Sequence, residues 1–297
     1  MRNRSLSQVV SCLFLFCWCI ACEPQKGGDT PFALGPETRI VSVNGALTEI
    51  LCEAGYANNL VGLDITSTYP DSIQHLPKVG MSRRIPAEGV VSLQPDILIG
   101  RKDDLKPEVL EQIKLSGCDI WLFEQRPDLE GTKALIATLS DSLKMPALSG
   151  RLAKEIDTDL SMIEPIEDTP TVLFVYARGA GSMSVAGNGT QVQEMIKMAG
   201  GKNVSLDFDD FKPLSTEVLV QANPDVILMF NSGLNSISGA EGLMDIPGVS
   251  DTEAGKNQRF ITMDGAFLTN FGPRVGEAAR ALNLLLKESM QPKISTR

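Results

Sequence analysis

Residues 88–98 read EGVVSLQPDIL, and residues 217–228 read EVLVQANPDVIL. Each is a glutamate, six residues, Pro-Asp and an apolar run. A second echo lies upstream of each copy: Glu49-Ile50-Leu51 with Ala54-Gly55, and Glu194-Met195-Ile196 with Ala199-Gly200. Proline disfavours helical backbone in the residue before it, so each Pro-Asp marks a helix end ahead of a strand. Glycine after an apolar helix is a C-terminal cap. A lone Pro-Asp is commonplace, but two echoes in matching order predict a repeated α/β lobe. Two such lobes leave a cleft, the usual place for a small ligand.

The connections support this reading. Arg39 to Val43, Leu60 to Leu63, Ile97 to Ile99 and Ile120 to Phe123 read as strands alternating with helices, which implies mainly parallel sheets. Leu152, Ile156, Leu160 and Ile163 lie on one face of a helix predicted over Ala147 to Glu164, a rod of roughly 27 Å. Thr171 to Tyr176 opens the second lobe and Val226 to Phe230 follows its Pro-Asp. The predicted organisation is therefore an N-terminal lobe over 39–144, a linking helix over 145–166 and a C-terminal lobe over 167–297. The long helix as sole bridge implies limited hinge motion.

The first residues are a separate object. Arg2 and Arg4 precede an apolar core from Val9 to Ile20, the pattern of a secretory signal. It ends at Ala21-Cys22 and turns polar at once. The segment resembles a bacterial lipoprotein signal over 1–21, cut before Cys22, with lipid on that thiol and a tether over 22–38. Four of the six cysteines lie in this segment; Cys52 and Cys118 remain, read as free thiols. At 297 residues the chain is long enough for two cores, and its net charge of −10 argues against nucleic acid as partner.

Catalytic signatures are missing. The chain has a single histidine, His75, with no nucleophile elbow, no phosphate-cradling Gly-Lys-Ser/Thr and no HExxH. The expectation is a binder and not an enzyme. Tyr69 stands after a strand end, where α/β folds bind ligands. A phenolate is a hard donor suited to ferric iron, and tyrosine is a haem ligand type; the alternative is an aromatic packed on Pro70. Arg83, Arg178 and Arg274 are candidates to clamp a carboxylate in bidentate fashion, the alternative being ordinary surface arginines. Glu88 and Glu217 hold equivalent places at helix starts, either complementing the helix dipole or forming a pair of acidic docking pegs.

Several segments together resemble the periplasmic haem-binding proteins of ABC importers. They are Arg39-Ile40-Val41-Ser42, Leu47-Thr48-Glu49-Ile50, Val61-Gly62-Leu63-Asp64, Thr66-Ser67-Thr68-Tyr69-Pro70, Ala87-Glu88-Gly89, Ala186-Gly187-Asn188-Gly189-Thr190, Lys212-Pro213-Leu214-Ser215, Met263-Asp264-Gly265 and Phe271-Gly272-Pro273-Arg274. The resemblance spans about Arg39 to Leu286. It implies two Rossmann-like lobes joined by a rigid helix, with haem held between them as transported ligand. It further implies Tyr69 as axial iron ligand and Glu88 with Glu217 engaging arginines of a permease dimer, which works with its ATPase subunits. The implied place is the periplasm, on a lipid anchor at the membrane. Some family members add a histidine after the first strand of the second lobe; this chain has Ala177-Arg178 there. Cobalamin and ferric-siderophore binders share the lobe pattern and are the alternative reading.

Overall fold

The computed structural model describes residues 34–82, 84–204 and 207–291, which belong to one compact unit beginning at Leu34. Cys22, the signal-like segment and Arg83 lie outside the described residues.

The first sheet contains β1 (Ile40–Ser42), β2 (Leu60–Leu63), β3 (Ile97–Arg101) and β4 (Asp119–Phe123) in the order β2-β1-β3-β4, all parallel. The second contains β5 (Thr171–Ala177), β6 (Met183–Ala186), β7 (Lys202–Asn203), β8 (Phe211–Pro213), β9 (Val226–Phe230) and β10 (Phe260–Met263). Its path is β10-β9-β5-β6-β8, with β7 beside the start of β5. The parallel set β7-β5-β9-β10 repeats the order of the first sheet. The architecture is thus α/β with two sheets, as the duplicated pattern predicts.

The Pro-Asp echo has a structural cause. Asp96 Oδ2 accepts from the backbone N–H of Arg39 at 2.8 Å, and Asp225 Oδ2 accepts from that of Thr171 at 2.9 Å. In return the N–H of Asp96 donates to the Arg39 carbonyl and that of Asp225 to the Thr171 carbonyl. Each aspartate therefore locks its strand to the start of its sheet's first strand. Gln94 and Asn223, which precede the two prolines, both adopt positive φ, 48° and 35°. The same helix exit is built twice.

The β6–β8 pair departs from the expected parallel pattern. β6 runs antiparallel to both β5 and β8. The Gly179 to Ser182 segment is the tight turn between β5 and β6; Gly179 has φ of 87°, and the Arg178 N–H donates to the Ser182 carbonyl. The linking helix is also shorter than predicted. It covers Pro146–Ser161, with proline in its first turn, and is about 24 Å long. Leu148, Leu152 and Ile156 are its buried face, packed against the helices Leu129–Ser142 and Val275–Met290. The closing helix begins at Val275, so Arg274 is its N-cap residue.

Candidate functional site

A cleft of about 520 Å³ opens where strand ends of both sheets converge. From the first sheet it takes Asn44, the loop Asp64 to Thr68, Arg101 and Gln125; from the second it takes Tyr176, Arg178, Phe230 and Asp264. These positions lie at or just beyond the carboxyl ends of strands, where α/β folds bind ligands. Cys52, Tyr69, Pro70, Pro273 and Arg274 line a separate hollow of about 270 Å³. The structure therefore places Thr66 and Thr68 on the larger cleft and Tyr69 on the smaller.

Tyr69 is 42% exposed. The Arg274 guanidinium lies over its ring, 3.6 Å from the centroid, a cation–π contact. Arg274 also donates to both carboxylate oxygens of Glu49, from Nε at 3.0 Å and Nη2 at 2.7 Å. Glu49 is 3% exposed and takes a further bond from the Asn270 amide at 3.4 Å. The helix Gly45–Glu53 reaches this segment so closely because of two glycines. A Cβ at Gly45 would meet the Asn270 side chain at 2.3 Å, and one at Gly272 would meet the Ala46 backbone at 3.0 Å. Burial pushes the Glu49 carboxyl above its ordinary range, against the pull of Arg274. Burial works against charge on Arg274, but the bond and charge of Glu49 outweigh it and raise its pKa.

Arg274 thus differs from a free carboxylate clamp. Two of its donors hold an internal partner, because a carboxylate buried as deeply as Glu49 has to be paired. In the sequence Glu49 stands out only within an echo and a family-like segment, without a role of its own. The available signal was a glutamate flanked by buried Leu47, Ile50 and Leu51 on one short helix. The counterpart Glu194 does something else: it pairs with Lys197 one turn along its own helix.

Arg178 sits at the end of β5, and its Nε donates to the Tyr176 hydroxyl at 2.5 Å. Tyr176 packs edge-on against Phe230, with ring centroids 5.8 Å apart. The structure therefore brings Tyr69 together with Arg274, and Tyr176 together with Arg178. Gln125, not singled out from sequence, donates to the carbonyls of Asn270 at 2.7 Å and Phe271 at 3.3 Å. With Glu49 and Thr132, it ties the Phe271 to Arg274 segment to the elements of the first sheet. An isolated glutamine after a strand carries no sequence signal for this.

Glu88 and Glu217 are exposed in the first turns of the helices Ala87–Val91 and Thr216–Ala222. These helices lead into β3 and β9, the equivalent strands of the two sheets. His75 is exposed, and among the described residues no group of three His, Cys, Asp or Glu side chains is arranged to hold a metal ion. Cys52 and Cys118 are free thiols, and burial pushes both up to about 11.

The family model for periplasmic binding proteins matches residues 40–266, across both sheets. The chain belongs to that family. This binding protein is similar in structure to the periplasmic heme-binding protein RhuT from Roseiflexus sp. RS-1: TM-score 0.81 and 38% identity over 86% of this chain and 100% of RhuT. It is 24% identical over 251 residues to the ABC transporter substrate-binding lipoprotein YvrC of Bacillus subtilis, covering 82% of this chain and 78% of YvrC. It is 26% identical over 226 residues to a vitamin B12-binding protein of Vibrio campbellii, covering 75% of this chain and 82% of that protein. Its relatives are substrate-binding proteins of transport.

Proposed function

We propose that this chain is the substrate-binding lipoprotein of an ABC importer and that it captures ferric haem between its two lobes. The observation that carries the reading is Tyr69: a large aromatic left 42% exposed at a strand-end loop, with a guanidinium on one ring face. It occurs in a chain 38% identical to a heme-binding protein over the whole of that protein. Tyr69 supplies the iron ligand, with the Arg274 guanidinium packed against its ring. Arg178, at the mouth of the larger cleft, and Arg83 meet the haem propionates. Arg274 contributes through Tyr69 and Glu49. Haem is bound and released unchanged, so the protein works without turnover.

Glu88 and Glu217, one at the same place in each lobe, engage arginines of the permease dimer that acts with its ATPase subunits. Cys22 carries the lipid that holds the mature chain at the membrane in the periplasm. The lobes extend over 39–144 and 167–297, with 145–166 as the link.

The test is a hemin titration of the chain from Glu23 onward, which contains the whole compact unit from Leu34. Saturation at a stoichiometric end point with a ferric-phenolate charge-transfer band is the expected result. A featureless rise without saturation overturns the reading. The vitamin B12-binding relatives favour cobalamin as the second reading. Saturable cobalamin binding that is indifferent to Tyr69→Phe establishes it instead.

A further inference from the structure

The loop carrying Tyr69 is anchored to the interior by deeply buried polar side chains. Ser42, Thr48, Asp64 and Ser67 are at most 1% exposed. They form one chain of hydrogen bonds. Ser67 Oγ donates to Asp64 Oδ1 at 2.5 Å. Ser67 Oγ and Thr48 Oγ1 are 2.8 Å apart, and Thr48 Oγ1 and Ser42 Oγ are 2.7 Å apart. The other carboxylate oxygen, Asp64 Oδ2, accepts from the Thr66 N–H at 3.0 Å and from the Thr66 hydroxyl.

Counting protons sets the direction. A hydroxyl has one proton, and that of Ser67 goes to the carboxylate. Ser67 must then accept from Thr48, and Thr48 from Ser42. The Thr48 proton is shared with the Asn44 carbonyl, 3.0 Å away. The acceptor-only carboxylate at its end favours the order Ser42 to Thr48 to Ser67 to Asp64, with the Thr48 proton divided between Ser67 and the Asn44 carbonyl, and aligned hydroxyls polarise one another. Ser67 is fixed at its other end as well. Its carbonyl accepts from Lys78 Nζ at 2.9 Å and from Gln74 Nε2 at 3.2 Å, and that amide also reaches the Pro70 carbonyl at 3.3 Å. Tyr69 thus lies between the braced Ser67 and Pro70, with one ring face against Arg274 and the residue 42% exposed.

We propose that Asp64, Ser67 and Thr48 are positioning residues for Tyr69: a buried hydroxyl chain ending on a carboxylate presets the loop so that the phenol meets ferric iron without first being ordered. The inference rests on the reading of Tyr69 as iron ligand. A preset donor gains affinity because the cost of ordering the loop is met in folding. Burying three hydroxyls and a carboxylate is otherwise unfavourable for a small lobe. Asp64→Asn is the informative isostere, because an amide offers one acceptor oxygen and cannot serve both Ser67 and Thr66.

The experiment uses the chain from Glu23 onward and Thr48→Val, Thr48→Ser, Asp64→Asn and Ser67→Ala, each first shown to unfold cooperatively. Hemin dissociation and the ferric electron paramagnetic resonance line shape are then read. Thr48→Val and Asp64→Asn are expected to dissociate about tenfold faster, the factor for about 1.4 kcal/mol, within the range for one buried hydrogen bond. Their line shape broadens, and Thr48→Ser restores both properties. Parental rate and line shape in the folded variants overturn the proposal, as does equal damage by Thr48→Val and Thr48→Ser. Ser67→Ala serves if either of the other two fails to fold. Amide exchange over Ile65–Thr68 without hemin separates the two levels. If the parent takes up no hemin, the functional reading fails and the role toward iron fails with it. Faster exchange confined to that loop in Thr48→Val still shows the bracing itself.

Discussion

Replacing Arg274 by alanine removes the only ion-pair partner that Glu49 has among the described residues. The Glu49 side chain is 4% exposed and that of Arg274 22%. Breaking a buried pair costs about 3–5 kcal/mol, because the remaining charge is left uncompensated. The lower end, about 3 kcal/mol, applies here because water reaches the guanidinium. For a unit of this size that is a fall in Tm of roughly 6–12 °C. The pH dependence is the sharper check. Burial already holds the Glu49 carboxyl above its ordinary value, with Arg274 opposing. A carboxyl whose folded pKa exceeds its unfolded value keeps a proton in the native state that the unfolded chain has released. Stability then falls as pH rises through that window and returns below it. Without Arg274 the folded pKa climbs further and the window widens upward. Arg274→Ala is therefore expected to lose more stability at about pH 8 than at about pH 5, as read by urea unfolding followed by circular dichroism. Adding Glu49→Gln recovers most of the loss at the higher pH. A loss below about 1 kcal/mol, the range of exposed pairs, or a larger loss at the acid pH would refute the argument.

Tyr69→Ala is expected to abolish the ferric-phenolate band and to raise the hemin Kd by at least about tenfold, one factor of 1.4 kcal/mol; an unchanged spectrum removes Tyr69 as ligand. Glu88→Arg combined with Glu217→Arg reverses charge at two exposed sites, so uptake in cells is expected to stop while hemin affinity measured in solution stays at the parental value. Normal uptake by that double variant rules out the docking role. Cys118, buried and held up to about 11 by that burial, is expected to react with a thiol reagent at about pH 8 only as the protein unfolds, since the thiolate is the reactive form; immediate labelling of Cys118 in the folded chain contradicts its placement.

The amino-acid sequence determined what depends on local rules repeated along the chain. Each Pro-Asp had to end one helix and begin one strand, and the matching order of Glu49 to Gly55 and Glu194 to Gly200 implied the same lobe twice. The equivalent helix-start places of Glu88 and Glu217 followed from that order. The Gly179 to Ser182 turn was visible as glycines, but the antiparallel pairing of β6 with β8 depends on a partner about 25 residues further along, which no local pattern names. Tertiary structure alone decided the pairings across long separations. Glu49 and Arg274 lie 225 positions apart, and Gln125 and Asn270 lie 145 apart. A polar residue in a sequence looks the same whether water or a buried partner satisfies it. Only the packing that excludes water from Glu49 and from the Ser42 to Asp64 chain turns those ordinary residues into fixed hydrogen-bonded partners.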